Sequence, residues 1–404
     1  MNGDPITRHA AAAGYSRVTL EPSFDAEVDR PRLVSALEPL CPEIRPILAG
    51  LRRSIPLAPH ATEGVTGQFY RLPGHFRSVC CAIPEHDDPM QLWNGDVVCF
   101  KGTEPLMRDL DDYLAWMMGA RFRGSDLPLG LHFPLVVNVP PGAVPLDECL
   151  REERMAAAVH ERHLAVYGEL AQAPVPLLVH RFDNLQNGRY AAALHEQLPP
   201  QAFERIEARA RGGCGVSVWY YPTAPIRVDD LRVITTSAPP LRVAPEEGEE
   251  TVTGWCRLFA RLLHLGFMPF APWNRGRGSC VDAGNACIDG GFADLLMLVP
   301  FESIPDDRWF GLSLLSSIQM LTHTVAVFTH ALGRRTAAPG ILMEPLAQSM
   351  LWPRLARAIS EETPQGQGAD RRLDAYLDVR SLAELLALTD ARGPTPGPYQ
   401  PVAS

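Results

Sequence analysis

Lysine is almost missing from this sequence: Lys101 stands alone against 36 arginines. A GC-rich genome removes lysine codons wherever arginine serves as well. The survivor is therefore expected where the two cations differ: a compact charge on a flexible stem, with a pKa that can be lowered. Other absences narrow the field. No apolar run reaches the roughly 20 residues a membrane span needs. The first thirty residues carry Asp4, Glu21, Asp25, Glu27 and Asp29 and no apolar core, so no secretory signal is read and a cytoplasmic protein is expected. The nine cysteines form no C-x-x-C pair, which points to a reduced, metal-free set. The dinucleotide signature G-x-G-x-x-G and the hydrolase elbow G-x-S-x-G are both missing, which counts against those two chemistries. Basic excess is absent as well. A net charge of −10 argues against nonspecific nucleic-acid binding, since neutralising phosphates needs a basic face.

What is present reads as an α+β chain of two lobes. Residues 1–60 form an N-terminal extension with short helices broken by Pro42, Pro46 and Pro56. Residues 61–145 are strand-rich, with GQFYRL, FRSVCCAI and DVVCF as an antiparallel sheet and HFPLVVNV as a further buried strand. Residues 146–362 are helix-rich, opening with LDECLREERMAAAVHERHLAVYGELA. Two strands (VPLLVHRF and GVSVWYYP) and helices at 250–266, 310–333 and 344–362 follow. Residues 363–404 are a partly disordered tail. In the first long helix, His160 and His163 share a face among charged neighbours and are expected in solvent. His323 and His330 lie in an apolar helix and are expected in the core, as are Trp219, Tyr220 and Tyr221.

Lys101 ends the strand DVVCFK and precedes Gly102, with the periodic segment 106–118 close behind. Strand ends are where loops gather polar groups into sites. The second concentration of chemistry is the segment 269–301. Its stretch NACIDGGFAD reads as a hairpin with a tight turn at Asp289-Gly290-Gly291, which would set Asn285 beside Asp294. An amide oxygen and a carboxylate make a hard-oxygen pair suited to Mg²⁺ carrying phosphate. Asp282 is placed to orient or deprotonate a hydroxyl. Arg275 and Arg277, on a glycine-rich backbone, could bring guanidinium groups to a phosphate.

These two motifs resemble the kinase-like selenoprotein O family of protein AMPylases. In that family a strand lysine is followed by glycine, as Lys101 is by Gly102. A metal-binding Asn opens N-x-x-I nine residues before a metal-binding Asp, as Asn285 does before Asp294. The resemblance implies a two-lobed, kinase-like fold in which ATP is bound with Mg²⁺. Lys101 would contact nucleotide phosphates, and Asn285 and Asp294 would hold the ion. The chain departs from the family in having Gly284 where an Asp precedes the metal Asn, and Gly278-Ser279 where a His-Gly stands. No glutamate can be assigned as partner of the lysine from sequence, Glu104 being too close.

Three functions follow as expectations. The first is a nucleotide-dependent transferase moving a phosphoryl or nucleotidyl group, with Mg²⁺, to a small-molecule or protein acceptor. The second is an aminoacyl or acyl transferase of specialised metabolism that draws on charged tRNA or another activated donor. The third is a non-catalytic binding protein with a kinase-like core, the reading that Gly284 favours.

Overall fold

The computed structural model of the chain describes residues 23–24, 30–42, 44–51, 69–70, 78–83, 96–101, 144–182, 212–222, 225–229, 245–272, 279–333 and 343–364, with a few isolated positions besides. Among these the protein is a mixed helix-and-sheet fold built on antiparallel pairing. It divides into two compact units. One holds Met1–Arg154 with Val175–Ala224, and the other holds Met155–Pro174 with Pro225–Ser404. The division thus runs inside the long helix rather than near residue 145. The strands VPLLVHRF and GVSVWYYP go with the sheet, because their backbone hydrogen bonds can be met only there. The segments 106–118 and HFPLVVNV and most of the tail lie outside the described residues, as do Gly102, Glu104, Arg275 and Arg277.

The first unit is a seven-stranded antiparallel sheet. In chain order its strands are β1 (Ser23–Phe24), β2 (Phe69–Tyr70), β3 (Ser78–Ile83), β4 (Asp96–Lys101), β5 (Val144–Pro145), β6 (Val175–Phe182) and β7 (Cys214–Tyr221). Across the sheet they run β1-β6-β7-β4-β3-β2, with β5 also paired to β7. β4 and β7 lie inside the sheet. Val97 to Phe100, Val216, Val218, Trp219 and Tyr220 are all buried, with no exposed alternation. A run apolar on both faces is what a strand covered from both sides requires. Tyr221, at the strand end, is half-buried. The register slips between Pro176 and Leu178 on β6, where a proline has no N–H to give the ladder. Two short helices, α1 (Pro31–Leu37) and α2 (Ile44–Leu51), precede the hairpins.

Helix α3 (Leu146–Tyr167) follows β5 directly. Asp147 and Glu148 in its first turn suit the positive end of the helix dipole. Gly168, at φ 75° and with its N–H on the Leu164 carbonyl at 3.1 Å, ends it as a left-handed cap. The second unit adds α4 (Pro245–His264), the short hairpin β8 (Phe267–Met268) with β9 (Val299–Pro300), α5 (Asp307–Gly333) and α6 (Met343–Glu361). Asp306 caps α5 through Oδ1, which accepts the Trp309 N–H at 2.8 Å. The span Asp307–Ala331 of α5 is long and apolar enough to cross a bilayer, but 61% of its apolar window is buried inside the fold. That is the pattern of a core helix.

The histidines correct two expectations. His160 and His163 are buried, whereas His323 is exposed and His330 half-exposed. Glu161 and Arg162, between them in the chain, are left exposed by α3. The apolar stripe of α5 leaves His323 and His330 on its outer side. His160 Nε2 donates to the Pro174 carbonyl at 2.8 Å, and its Nδ1 is buried with no hydrogen-bond partner. His163 belongs to a latch: its Nδ1 meets the Glu169 carbonyl at 2.7 Å, and Arg261 reaches its Nε2 at 3.4 Å. The same guanidinium binds Glu362 and Glu169 and stacks over the Tyr167 ring at 4.6 Å.

Burial drives His160 down to about 4, although its bond to Pro174 opposes the shift and His163 adds to it. The folded value lies below the unfolded one near 6.5. The stability tied to neutral His160 is therefore fully present above pH 6.5 and lost as pH falls towards 4, a loss on the order of 3 kcal/mol. His163, lowered chiefly by burial, adds in the same direction. Urea unfolding at pH 7 and pH 4.5 should show this loss in the wild type. His160→Gln keeps a donor for Pro174 and cannot titrate, so it should flatten the dependence. An equal acid loss in that variant would assign it elsewhere.

Candidate functional site

Lys101 is the last residue of β4, set between Ser78 and Ser217 in the neighbouring strands. Residues directly opposite in an antiparallel pair share a face. On that face lies the first part of α3, whose Cys149 packs with Val144, Leu146 and Val179. One turn on from Cys149 comes Glu152, which grips the lysine with both oxygens: Lys101 Nζ donates to Oε1 at 2.8 Å and to Oε2 at 2.7 Å. The glutamate side chain is 4% exposed and the lysine 19%. A buried carboxylate is stable only if its charge is met, so this pair is a fixed feature of the unit. Sequence reading missed Glu152. A signal for it existed: on an otherwise apolar face of Cys149, Ala156, Ala157 and His160, the two acids Glu152 and Glu153 are buried, and acids there demand partners.

The second unit brings together Asp282, Asn285 and Asp294. Asn285 and Phe292 flank a shortened hairpin: Ala286 bridges Phe292, the Cys287 N–H donates to the Gly291 carbonyl at 2.9 Å, and the Ala293 N–H donates to the Asn285 carbonyl at 2.6 Å. Asn285 is thus paired with the residue immediately before Asp294. The expected turn is present too. Asp289 Oδ1 accepts the Gly291 N–H at 2.9 Å, and Gly290 takes φ 87°. Helix α4 pins this turn. Thr251 Oγ1 donates to the Ile288 carbonyl at 2.5 Å, and Trp255 Nε1 to the Cys287 carbonyl at 2.8 Å. Between them Gly254 lets the turn approach so closely that a Cβ there would lie 2.9 Å from the Gly290 Cα.

Each site residue is oriented by the backbone. Asn285 Nδ2 donates to the Ser279 carbonyl at 2.8 Å, which turns the amide oxygen to the other side. Asp294, 9% exposed, accepts the Leu296 N–H on Oδ1 at 2.9 Å. Asp282 Oδ2 accepts the Ser279 N–H at 3.1 Å. Burial raises Asp282 to about 6 and the Asp229 charge adds to this, while the Ser279 N–H, Arg227 and the Gly284 N–H pull the other way. A carboxylate near 6 is still ionised at neutral pH and a stronger base than an ordinary one. Cys280, buried close by, donates to the Pro269 carbonyl at 3.3 Å. Burial first, then Asp282 and Asp294, hold its thiol far up in pKa, so it has no thiolate character.

Asp229 is a residue the sequence reading did not single out. The segment 225–229 runs alongside 283–288, its Asp229 N–H donating to the Ala283 carbonyl at 2.9 Å. A Cβ on Gly284 would meet Asp282 Oδ1 at 3.3 Å and Asp229 Oδ2 at 3.5 Å. Two carboxylates therefore lie beside the point where a side chain at 284 would start.

Among the described residues no three His, Cys, Asp or Glu side chains cluster as a ready-made metal cage. Mg²⁺ seldom uses one. It binds through one or two carboxylates, water and substrate phosphates. The expected pair of Asn285 and Asp294 is offset by one residue, since Asn285 lies opposite Ala293 and not Asp294. No protein-family model and no curated protein matches the chain.

The contact of Gly254 with Gly290 gives a direct test of the pinned turn. Alanine at 254 gains about 1 kcal/mol of helix propensity but meets backbone that cannot yield. Gly254→Ala should therefore lower stability by about 1–2 kcal/mol net, read as a fall in melting temperature. A rise in melting temperature would mean the turn is not seated against α4.

Proposed function

We propose that the protein is a nucleotide-dependent transferase of two-lobed, kinase-like build, moving a phosphoryl or nucleotidyl group to a small-molecule or protein acceptor. The observation that carries this reading is the Lys101–Glu152 pair. A strand lysine held by a helix glutamate is the ion pair that protein kinases need for activity, alongside an Asn and an Asp that hold Mg²⁺. Here Lys101 is the phosphate contact, with Gly102 permitting close approach. Asn285 and Asp294 are the Mg²⁺ ligands, and Arg275 and Arg277 are further phosphate contacts. Bound Mg²⁺ would neutralise charge on the phosphates. Asp282 is the base. As the acceptor oxygen bonds to phosphorus and the bond to the leaving phosphate breaks, Asp282 takes the acceptor proton.

The crowding around Gly284 supports giving that role to Asp282. The carboxylates of Asp282 and Asp229 lie beside the point where a side chain at 284 would start.

A thermal-shift panel of wild type, Lys101→Met and Asp294→Ala with ATP, GTP and other nucleotides, each with and without Mg²⁺, tests the reading. At a hundred times its dissociation constant a nucleotide stabilises the native state by about 2.7 kcal/mol. The expected result is a Mg²⁺-dependent shift in wild type that both variants lose. No shift with any nucleotide would end the proposal and turn the search to charged tRNA and acyl donors.

A further inference from the structure

Glu153 follows Glu152 on α3, and it too is buried, at 3% exposure. Neighbouring residues on a helix point about 100° apart, so the two carboxylates need separate cations. Lys101 serves Glu152. Arg30 serves Glu153 by a two-pronged contact, Nε to Oε1 at 2.7 Å and Nη2 to Oε2 at 3.1 Å. We infer that Arg30 is a positioning residue whose fork on Glu153 sets the rotation of α3 at which Glu152 clasps Lys101. Its functional weight rests on the nucleotide-dependent reading above, in which that clasp organises the phosphate contact.

Arg30 has a firm base, because it immediately precedes α1, whose Leu33, Val34 and Leu37 are buried. The Val34 N–H donates to the Arg30 carbonyl at 3.0 Å. Without the guanidinium, Glu153 would be a buried charge with its cation gone, a state costing several kcal/mol. The least costly relief is for the first turns of α3 to roll Glu153 towards water. Because Glu152 lies on the same turns, that roll draws it from Lys101. Lysine at position 30 keeps the charge but not the fork that meets both carboxylate oxygens, so it should restore the clasp only in part.

The composition supplies the probe. Because Lys101 is the only lysine, the full chain grown with lysine labelled by ¹⁵N at Nζ has a single side-chain ammonium resonance. Glu152→Gln gives its position with the clasp broken. Arg30→Ala, recorded where circular dichroism shows native helix content, should move the resonance towards that position, with Arg30→Lys between, while Glu153→Gln, which leaves no buried charge to expose, should move it less. Arg261→Ala, which loosens the latch of the other unit, should leave it at the wild-type position. If Arg30→Ala and Arg30→Lys keep the wild-type resonance while Glu152→Gln shifts it, the positioning role is wrong. It is equally wrong if Glu152→Gln itself causes no shift. The readout uses no nucleotide, so a failed nucleotide assay and a failed clasp remain distinct results.

Discussion

A carboxylate buried in a helix face has lost its water, and only a cation of fixed geometry can replace it. Glu152 is in that position, and Lys101 replaces its hydration with two short contacts from one nitrogen. Taking both charges out of solvent costs more than an ordinary surface pair returns. The contact is therefore poor value as a mere stabiliser, since apolar residues of similar volume would hold α3 to the sheet as well. The proposed function gives the pair a use, since a partly exposed ammonium held at a strand end would be open to an anion. The sheet makes this possible. β4 is flanked on both sides by strands, so its backbone is fixed and the lysine stem leaves from a rigid point.

The second unit uses backbone contact in place of ion pairing. Its acidic residues sit on loop and turn, which by themselves would not hold a side chain to a fraction of an ångström. The rigidity comes from α4. Two side-chain donors reach the carbonyls of Cys287 and Ile288, and a glycine-to-glycine contact leaves the turn one seat. From that seat the ladder of hydrogen bonds runs to Asn285 and, through Ala293, to the residue before Asp294. Carbonyl and N–H partners at Ser279 and Leu296 then aim the amide and the carboxylate. A site built this way is preorganised by groups that carry no net charge, which leaves the carboxylates their electrostatic effect.

The local signals in the sequence were read well and the tertiary ones less so. The strand VPLLVHRF coincides with β6, because a β-branched apolar run between Pro and Asn has one stable form. The turn at Asp289 was legible because Gly290 must take a positive φ. The histidines were misjudged because helical spacing tells which residues share a face, not which face is covered. His160 and His323 exchanged their expected environments for that reason. Glu152 lies 51 residues beyond Lys101, and no spacing rule links them. Only the oddity of acids on an apolar stripe marked it. Asp229 was invisible for a related cause. Its closeness to Asp282 arises from two loop segments running side by side, a pairing that leaves no period in either stretch.

The rarity of lysine returns here with a physical content. Arginine stands at every other cationic position, including Arg30 and Arg261, where a planar fork suits the carboxylates it meets. At Lys101 one nitrogen contacts both oxygens of a single carboxylate, at 2.7 and 2.8 Å. A guanidinium there would spread its charge over a plane and push α3 outward to make room. Composition and geometry thus meet at one point: the single lysine of the sequence is the cation that both oxygens of one buried carboxylate hold.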